Sequence, residues 1–463
     1  MDTTLKRQLD RIFKPRSVAV MGVSSRIDNP GTLLLRSLMD MEFSGPLYPV
    51  NPKYDEILGL KCYPSVSEIP QPPDLVILSI PPKAVPAALE DCARAGVTGC
   101  IVNTAGFSEL GTSEGLELER KVRKVLERTG IRIIGPNCMG VYSSKGRLAT
   151  FAGQKSSDGK IGCISQSGSI VNFLYILGLE RGIQFSKMVS SGNELDLNCT
   201  DFLEYFAEDD EVEIIVSYFE QIRDPRRFLK IALELKGKKP LLIWKAGLTE
   251  RGRKAAASHT GAMAGSPQIW EAVRKQAGIV SVSDLADAIN ITAMFAHLRK
   301  PRGRKVCVIS PPGGVAVNTA DMVEQSGLVM ADLSQETIAN LREILPKEGT
   351  AVGNPVDMGF GSVVPENLYR VTRAVADDES TDIILIVGSA PASRDGDLGL
   401  MKMQSSEIKR AKNEIEKPIV AVGIPSGFAF PFISDLSWSK IPVYMSPKEA
   451  CSSLARLVDY YGV

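Results

Sequence analysis

Short runs of β-branched and aliphatic residues alternate with longer amphipathic stretches along most of the chain. In the first third, 17–21, 47–50, 75–80, 99–103 and 131–134 read as strands. Between them, 32–41, 85–95 and 116–129 carry helical spacing. Strands that are apolar throughout, rather than alternating, point to a parallel sheet covered on both faces by helices. The middle third restarts the pattern. Strands are expected at 162–165, 185–189, 214–218 and 241–244, and helices at 168 onward, 200–207, 225–235 and 267–276. Pro267 suits the first turn of the last of these helices. After a basic, proline- and glycine-bearing hinge at 299–304, further strands follow at 306–310, 383–387 and 418–422, and Gly313-Gly314 opens a helix. The predicted fold class is therefore α/β, with three consecutive doubly wound domains spanning 1–145, 146–298 and 299–463.

The chain has 463 residues, with 54 basic and 54 acidic side chains, so no net charge draws it to nucleic acid or to an anionic membrane. Its eight cysteines form no CxxC pair, and with two histidines there is no metal-ligand spacing; no metal site is expected. Most of the cysteines sit in apolar runs, as in Gly99-Cys100-Ile101, and read as reduced core residues of a cytoplasmic protein. The opening MDTTLKRQLDRIFKP lacks an apolar secretory segment, and no apolar run has membrane-spanning length.

Ligands of open parallel sheets lie at the carboxyl ends of the strands, so the chemistry is sought in those loops. Gly22, Ser24 and Ser25 follow the first strand and lead through Asn29-Pro30-Gly31 into a helix, a favourable place for phosphate. The GxGxxG spacing is absent. The second strand ends in Asn51-Pro52-Lys53, and Lys53 suits a phosphorylated ribose, as in NADP or coenzyme A. Pro81 and Asn103 end the third and fourth strands. In the middle third, Ser165-Gln166-Ser167-Gly168-Ser169 joins a strand to a helix, so Ser167, Gly168 and Ser169 form an anion-binding tip. The stretch is not GxSxG, which argues against a serine hydrolase. Glu220 follows the 214–218 strand, where a carboxylate can orient an imidazole. His259 lies in Ala255-Ala256-Ala257-Ser258-His259-Thr260-Gly261-Ala262, a sterically bare setting that suits a nucleophilic imidazole and equally a loop histidine that caps or packs. His297, in a helical run, reads as a packing or surface residue.

Phe13 to Gly22, Tyr48 to Lys53, Ala105-Gly106-Phe107, Gly135-Pro136-Asn137, Ser165 to Gly168, Ser191 to Asp196 and Ala257 to Ala262 occur in this order. Together they resemble the NDP-forming acyl-CoA synthetases, which include ADP-forming acetate–CoA ligase and are related to succinyl-CoA synthetase. The resemblance implies a Rossmann-like CoA-binding domain followed by two flavodoxin-like domains. It implies the reaction acyl-CoA + phosphate + ADP = carboxylic acid + CoA + ATP, through an acyl phosphate and a phosphohistidine. His259 takes the phosphoryl role and Glu220 steadies the ring. Ser167, Gly168 and Ser169 hold the phosphoryl oxygens, and Gly22, Ser24, Ser25, Lys53, Pro81 and Asn103 contact coenzyme A. The acid is expected near 190–193. No ATP-grasp segment is found, so the resemblance makes the chain an α subunit. A β subunit carrying the ATP-grasp module with Mg2+ and ADP or ATP would complete an α2β2 assembly. Ser310-Pro311-Pro312 departs from the looser turn expected before Gly313, and Trp270 is bulkier than expected after the histidine loop. Two competing readings leave the His259 loop unexplained: a non-catalytic CoA-binding regulator or acyltransferase scaffold, and an NADP-dependent oxidoreductase.

Overall fold

The structure is a computed structural model that describes residues 1–151, 153–254, 266–311, 313–388, 398–423 and 430–463. The chain packs as two compact units, Met1–Tyr175 with Gln184–Ser283, and Ile176–Ile183 with Asp284–Val463.

The first unit begins with α1 (Thr3–Phe13), which the strand–helix alternation did not predict. Asp2 caps it by accepting from the N–H groups of Thr4 and Leu5, and Leu9, Ile12 and Phe13 form its buried stripe. The first sheet contains β1 (Val18–Met21), β2 (Leu47–Val50), β5 (Leu75–Leu78), β6 (Gly99–Val102) and β7 (Arg132–Ile134). A hairpin of β3 (Glu56–Ile57) and β4 (Leu60–Lys61) lies off it. The order is β2-β1-β5-β6-β7, all parallel. The connecting helices are α2 (Pro30–Asp40), α3 (Val85–Arg94) and α4 (Ser113–Thr129). The central strands β5 and β6 are buried along their length, as apolar runs without alternation require.

A second sheet in the same unit runs β14-β13-β12-β10-β11-β8-β9. Its parallel part comprises β10 (Ile161–Ser165), β11 (Phe185–Ser190), β12 (Ile214–Phe219), β13 (Leu241–Lys245) and β14 (Val280–Val282). The hairpin β8 (Gly140–Ser143) and β9 (Leu148–Ala149), also missed by the βαβ pattern, adds antiparallel to β11. Helices α5 (Gly168–Glu180), α6 (Cys199–Ala207), α7 (Pro225–Leu235) and α8 (Pro267–Ala277) follow the strands.

The second unit is built on β15 (Lys305–Ser310), β16 (Val329–Met330), β18 (Ile383–Val387), β19 (Ile419–Val422) and β20 (Val443–Tyr444). They are parallel in the order β16-β15-β18-β19-β20, and β17 (Val356–Asp357) also pairs with β15. Its helices are α9 (Leu285–His297), α10 (Gly313–Gln325), α11 (Gln335–Ile344), α12 (Pro365–Asp377), α13 (Leu398–Glu414), α14 (Phe430–Trp438) and α15 (Pro447–Tyr461). Although α9 precedes the hinge in sequence, it packs on α15: Phe295 meets Tyr460 edge to face at 5.4 Å, and Arg456 pairs with Asp287.

In the first two sheets the first parallel strand lies between the second and the third, and in the last sheet β15 lies between β16 and β18. The fold is thus a mixed α/β architecture with three doubly wound sheets. Connections leave the first strand of each sheet in opposite directions, which opens a crevice between its carboxyl end and that of its later neighbour. These crevices fall between β1 and β5, between β10 and β12, and between β15 and β18.

Candidate functional site

The first crevice is shaped by two glycines. Gly22 ends β1 with φ +93°, and a Cβ there would stand 2.0 Å from the Ser79 carbonyl oxygen. A Cβ on Gly31, in the first turn of α2, would lie 2.6 Å from the Gly22 oxygen. Helix α2 therefore seats its N-terminus directly on the end of β1, where its dipole and first N–H groups favour an anion. Asn29 caps α2 by accepting from Thr32 N–H at 3.0 Å. Thr32 in turn accepts from the Ser24 N–H at 3.0 Å and donates to the Ser24 carbonyl at 2.8 Å. Asn51 holds the neighbouring loop: its amide donates to the Val23 carbonyl at 2.6 Å, and its Oδ1 accepts from Lys53 N–H at 3.0 Å. The Lys53 side chain is exposed, as are Ser25 and Pro81. Thr104 accepts from Ile80 N–H and donates to its carbonyl, so the turn before Pro81 is fixed. Gly22, Ser24, Ser25, Lys53, Pro81 and Asn103 thus all lie at strand ends of one sheet. Within this group the Ser24 N–H is engaged by Thr32, and the Asn103 amide donates to the Cys138 carbonyl at 2.7 Å.

The second crevice brings together the ends of β10 and β12. Gln166, 7% exposed, is its clamp. Its Oε1 accepts from the N–H groups of Glu220 at 2.6 Å and Gln221 at 3.0 Å, and its Nε2 donates to the Gln221 carbonyl at 2.9 Å. One side chain thereby fixes the loop bearing Glu220 against the loop bearing Ser167. Ser165 donates to the Ser167 carbonyl at 2.7 Å, Ser167 N–H donates back to Ser165 Oγ, and the Ser167 and Ser169 hydroxyls are 3.0 Å apart. Gly168 opens α5 beneath Met139, whose Cγ would be 2.6 Å from a Cβ at that position. The orphan N–H groups of this helix start face the crevice mouth. Glu220 is buried; the Tyr218 hydroxyl donates to its carboxylate at 3.3 Å, and Lys245 donates to its carbonyl at 2.7 Å. Burial, then the Glu220 charge, push the Tyr218 phenol up to about 12, and burial lowers the Lys245 ammonium. His259 lies outside the described residues. His297 is half-buried in the second unit, its Nε2 at 3.2 Å from the Arg181 carbonyl, and burial lowers its pKa to about 4.

Three polar side chains that pattern reading missed surround these predicted residues. Gln166 is one. Glu194, in the loop after β11, is 1% exposed with φ +54°. Its Oε1 accepts from the Ser191 hydroxyl at 2.8 Å and from Cys199 N–H at 2.9 Å. Burial pushes its carboxyl up to about 7, against these bonds and the nearby Arg223 charge. Glu109 accepts from Gly106 and Phe107 N–H groups and from the Asn193 amide at 2.5 Å, joining a loop of the first sheet to the 190–193 loop of the second. Burial raises the Glu109 pKa less than these bonds lower it, so it lies below the ordinary carboxylate range. The one signal available in the sequence was position: each follows a predicted strand. Among the described residues no cluster of three or more metal-ligating side chains occurs, and no helix is long and apolar enough to cross a membrane.

The chain is similar to known proteins. The family description "CoA binding domain" matches residues 16–144, and "Succinyl-CoA ligase like flavodoxin domain" matches residues 158–295. ADP-forming acetate–CoA ligase II subunit alpha of Pyrococcus furiosus is 36% identical over 460 residues, covering 97% of each chain. ADP-forming acetate–CoA ligase I of Archaeoglobus fulgidus is 38% identical over 388 residues, 84% of this chain and 56% of that protein. The chain therefore spans little more than half the length of the Archaeoglobus relative. The solved structure of Ca. Korarchaeum cryptofilum dinucleotide forming acetyl-coenzyme A synthetase 1 in complex with phosphate and ADP superposes with a TM-score of 0.87 at 32% identity, covering 98% of this chain and 96% of that one.

A CoA-binding domain is thus followed by a succinyl-CoA-ligase-like flavodoxin domain. The chain belongs to the ADP-forming acetate–CoA ligase family, and 97% of it aligns with an α subunit of that family.

Proposed function

We propose that this chain is the α subunit of an NDP-forming acyl-CoA synthetase, catalysing acyl-CoA + phosphate + ADP = carboxylic acid + CoA + ATP. The observation that carries the reading is the second crevice, where Gln166 ties the Glu220 loop to the helix tip at 167–169. Coenzyme A lies in the first crevice, with Lys53 on its ribose phosphate and its pyrophosphate near the α2 start. A phosphate oxygen attacks the thioester carbonyl, the C–S bond breaks, and the thiolate leaves as CoA after taking a proton. The resulting acyl phosphate sits with its phosphoryl oxygens at Ser167, Gly168 and Ser169. His259 attacks the phosphorus, the carboxylate departs, and Glu220 fixes the ring and balances its charge. The phosphohistidine then gives its group to ADP, which an ATP-grasp β subunit supplies with Mg2+ in an α2β2 complex. The segments 1–145, 146–298 and 299–463 are the proposed modules, and the cytoplasm the proposed location.

Incubation with acetyl-CoA and phosphate, or with ATP and the β subunit, is expected to label His259 with acid-labile, base-stable phosphate. Loss of label in His259→Ala, together with loss of turnover, supports the reading. Unlabelled native protein under both conditions, or full turnover in His259→Ala, overturns it.

A further inference from the structure

Resting on that reading, we propose that Arg223 anchors the carboxylate of the acid substrate and that Glu194 is the residue that positions it. A carboxyl group is costly to bury unless its oxygens are hydrogen-bonded or it serves a further purpose. Glu194 Oε1 is bonded twice, whereas Oε2 is buried and makes no well-aligned hydrogen bond, although the Gln166 amide lies close enough to favour the charged carboxyl. Arg223 Nε stands 3.9 Å from Oε2, within ion-pair range but short of contact. The guanidinium has five N–H donors in a planar fork. Its hydrogen bond within the described chain runs from Nη2 to the Asn193 carbonyl at 2.8 Å, and the side chain is 43% exposed. Arg223 is thereby tethered at one edge to the 190–193 loop, where the acid is expected, and its side chain stays part-exposed. Asn193 is itself held from the first sheet by Glu109 and by Asn137, whose amide donates to Asn193 Oδ1 at 3.2 Å. A small carboxylate matches the fork by paired, charge-assisted hydrogen bonds. Glu194 holds the fork in place without using its outer donors, which distinguishes this arrangement from a closed structural ion pair.

The test uses the full chain with its β subunit and measures initial rates with ATP, CoA and acetate as the probe acid. Arg223→Gln is expected to raise KM for acetate about tenfold or more, the loss of a charge-assisted contact, with KM for CoA changed by less than about twofold. Arg223→Lys should recover part of that affinity, and Glu194→Gln should give a smaller rise confined to acetate. In the reverse direction KM for phosphate should be unchanged in all three. An unchanged acetate KM in Arg223→Gln overturns the assignment. So does a rise in KM for phosphate in place of acetate, or an equal rise for CoA, which marks general disruption. Phosphate labelling of His259 from ATP separates the two levels. Native protein that takes no label sinks the functional reading and this inference with it, whereas normal labelling with an unmoved acetate KM sinks the inference alone.

Discussion

Replacing Gln166 by alanine should uncouple the two loops of the second crevice. The side chain makes three hydrogen bonds of 2.6, 2.9 and 3.0 Å, all to the backbone at Glu220 and Gln221. At about 1 kcal/mol net for each, the loss amounts to ~3 kcal/mol of stability, since the Glu220 N–H is left in a buried site. Gln166→Met, which keeps the volume and removes the polar atoms, should lose nearly as much. The functional cost is expected to be larger in proportion. A shift of Glu220 by about 1 Å can slow a positioned reaction roughly a hundredfold. Denaturant unfolding of each variant measures the first quantity, and rapid-quench transfer of label from ATP to His259 measures the second. CoA affinity serves as the control and should stay at the native value. If both variants unfold within about 0.5 kcal/mol of the native protein and accept label at the native rate, the clamp does not position Glu220.

Two further outcomes follow from buried charge in the first unit. Glu211 binds Lys187, Lys14 and Lys145, of which Lys187 is fully buried and also pairs with Asp209 at 2.6 Å, while Lys145 is 69% exposed. Breaking a buried pair costs about 3–5 kcal/mol and an exposed one about 0–1, so Lys187→Ala should lower the urea midpoint far more than Lys145→Ala, and equal losses would refute the contrast. Glu194 has its folded pKa raised to about 7 from an ordinary 4.5, so the folded state holds its proton more tightly than the unfolded chain. Its contribution is therefore favourable at low pH and is lost as pH rises from 4.5 through about 7. The native protein should lose up to ~3 kcal/mol more than Glu194→Gln between pH 5 and 8, and parallel stability profiles would count against the burial argument.

Much of the architecture follows from local pattern. Apolar runs such as 75–78 and 383–387 can satisfy themselves only as strands buried on both faces, and the glycine, proline and asparagine between them set the turns. Placing Ser167, Gly168 and Glu220 at strand ends was possible because chain direction in a parallel sheet tells which loops share an edge. The α1 helix precedes the first strand and the β8–β9 hairpin adds antiparallel to a parallel sheet, so neither follows from strand–helix alternation. The acid to be activated, and the roles of Gln166, Glu194 and Lys187, were not legible. Lys187 sits in Phe185-Ser186-Lys187-Met188, where a charged residue reads as solvent-facing, yet it is fully buried because Asp209 and Glu211 arrive from a distant loop. Gln166 reaches partners 54 and 55 positions away. Propensity and periodicity act across a few neighbouring residues, so they decide where strands, helices and their ends fall. A hydrogen bond or ion pair between distant segments depends on the packed coordinates of both, and only the tertiary structure supplies those.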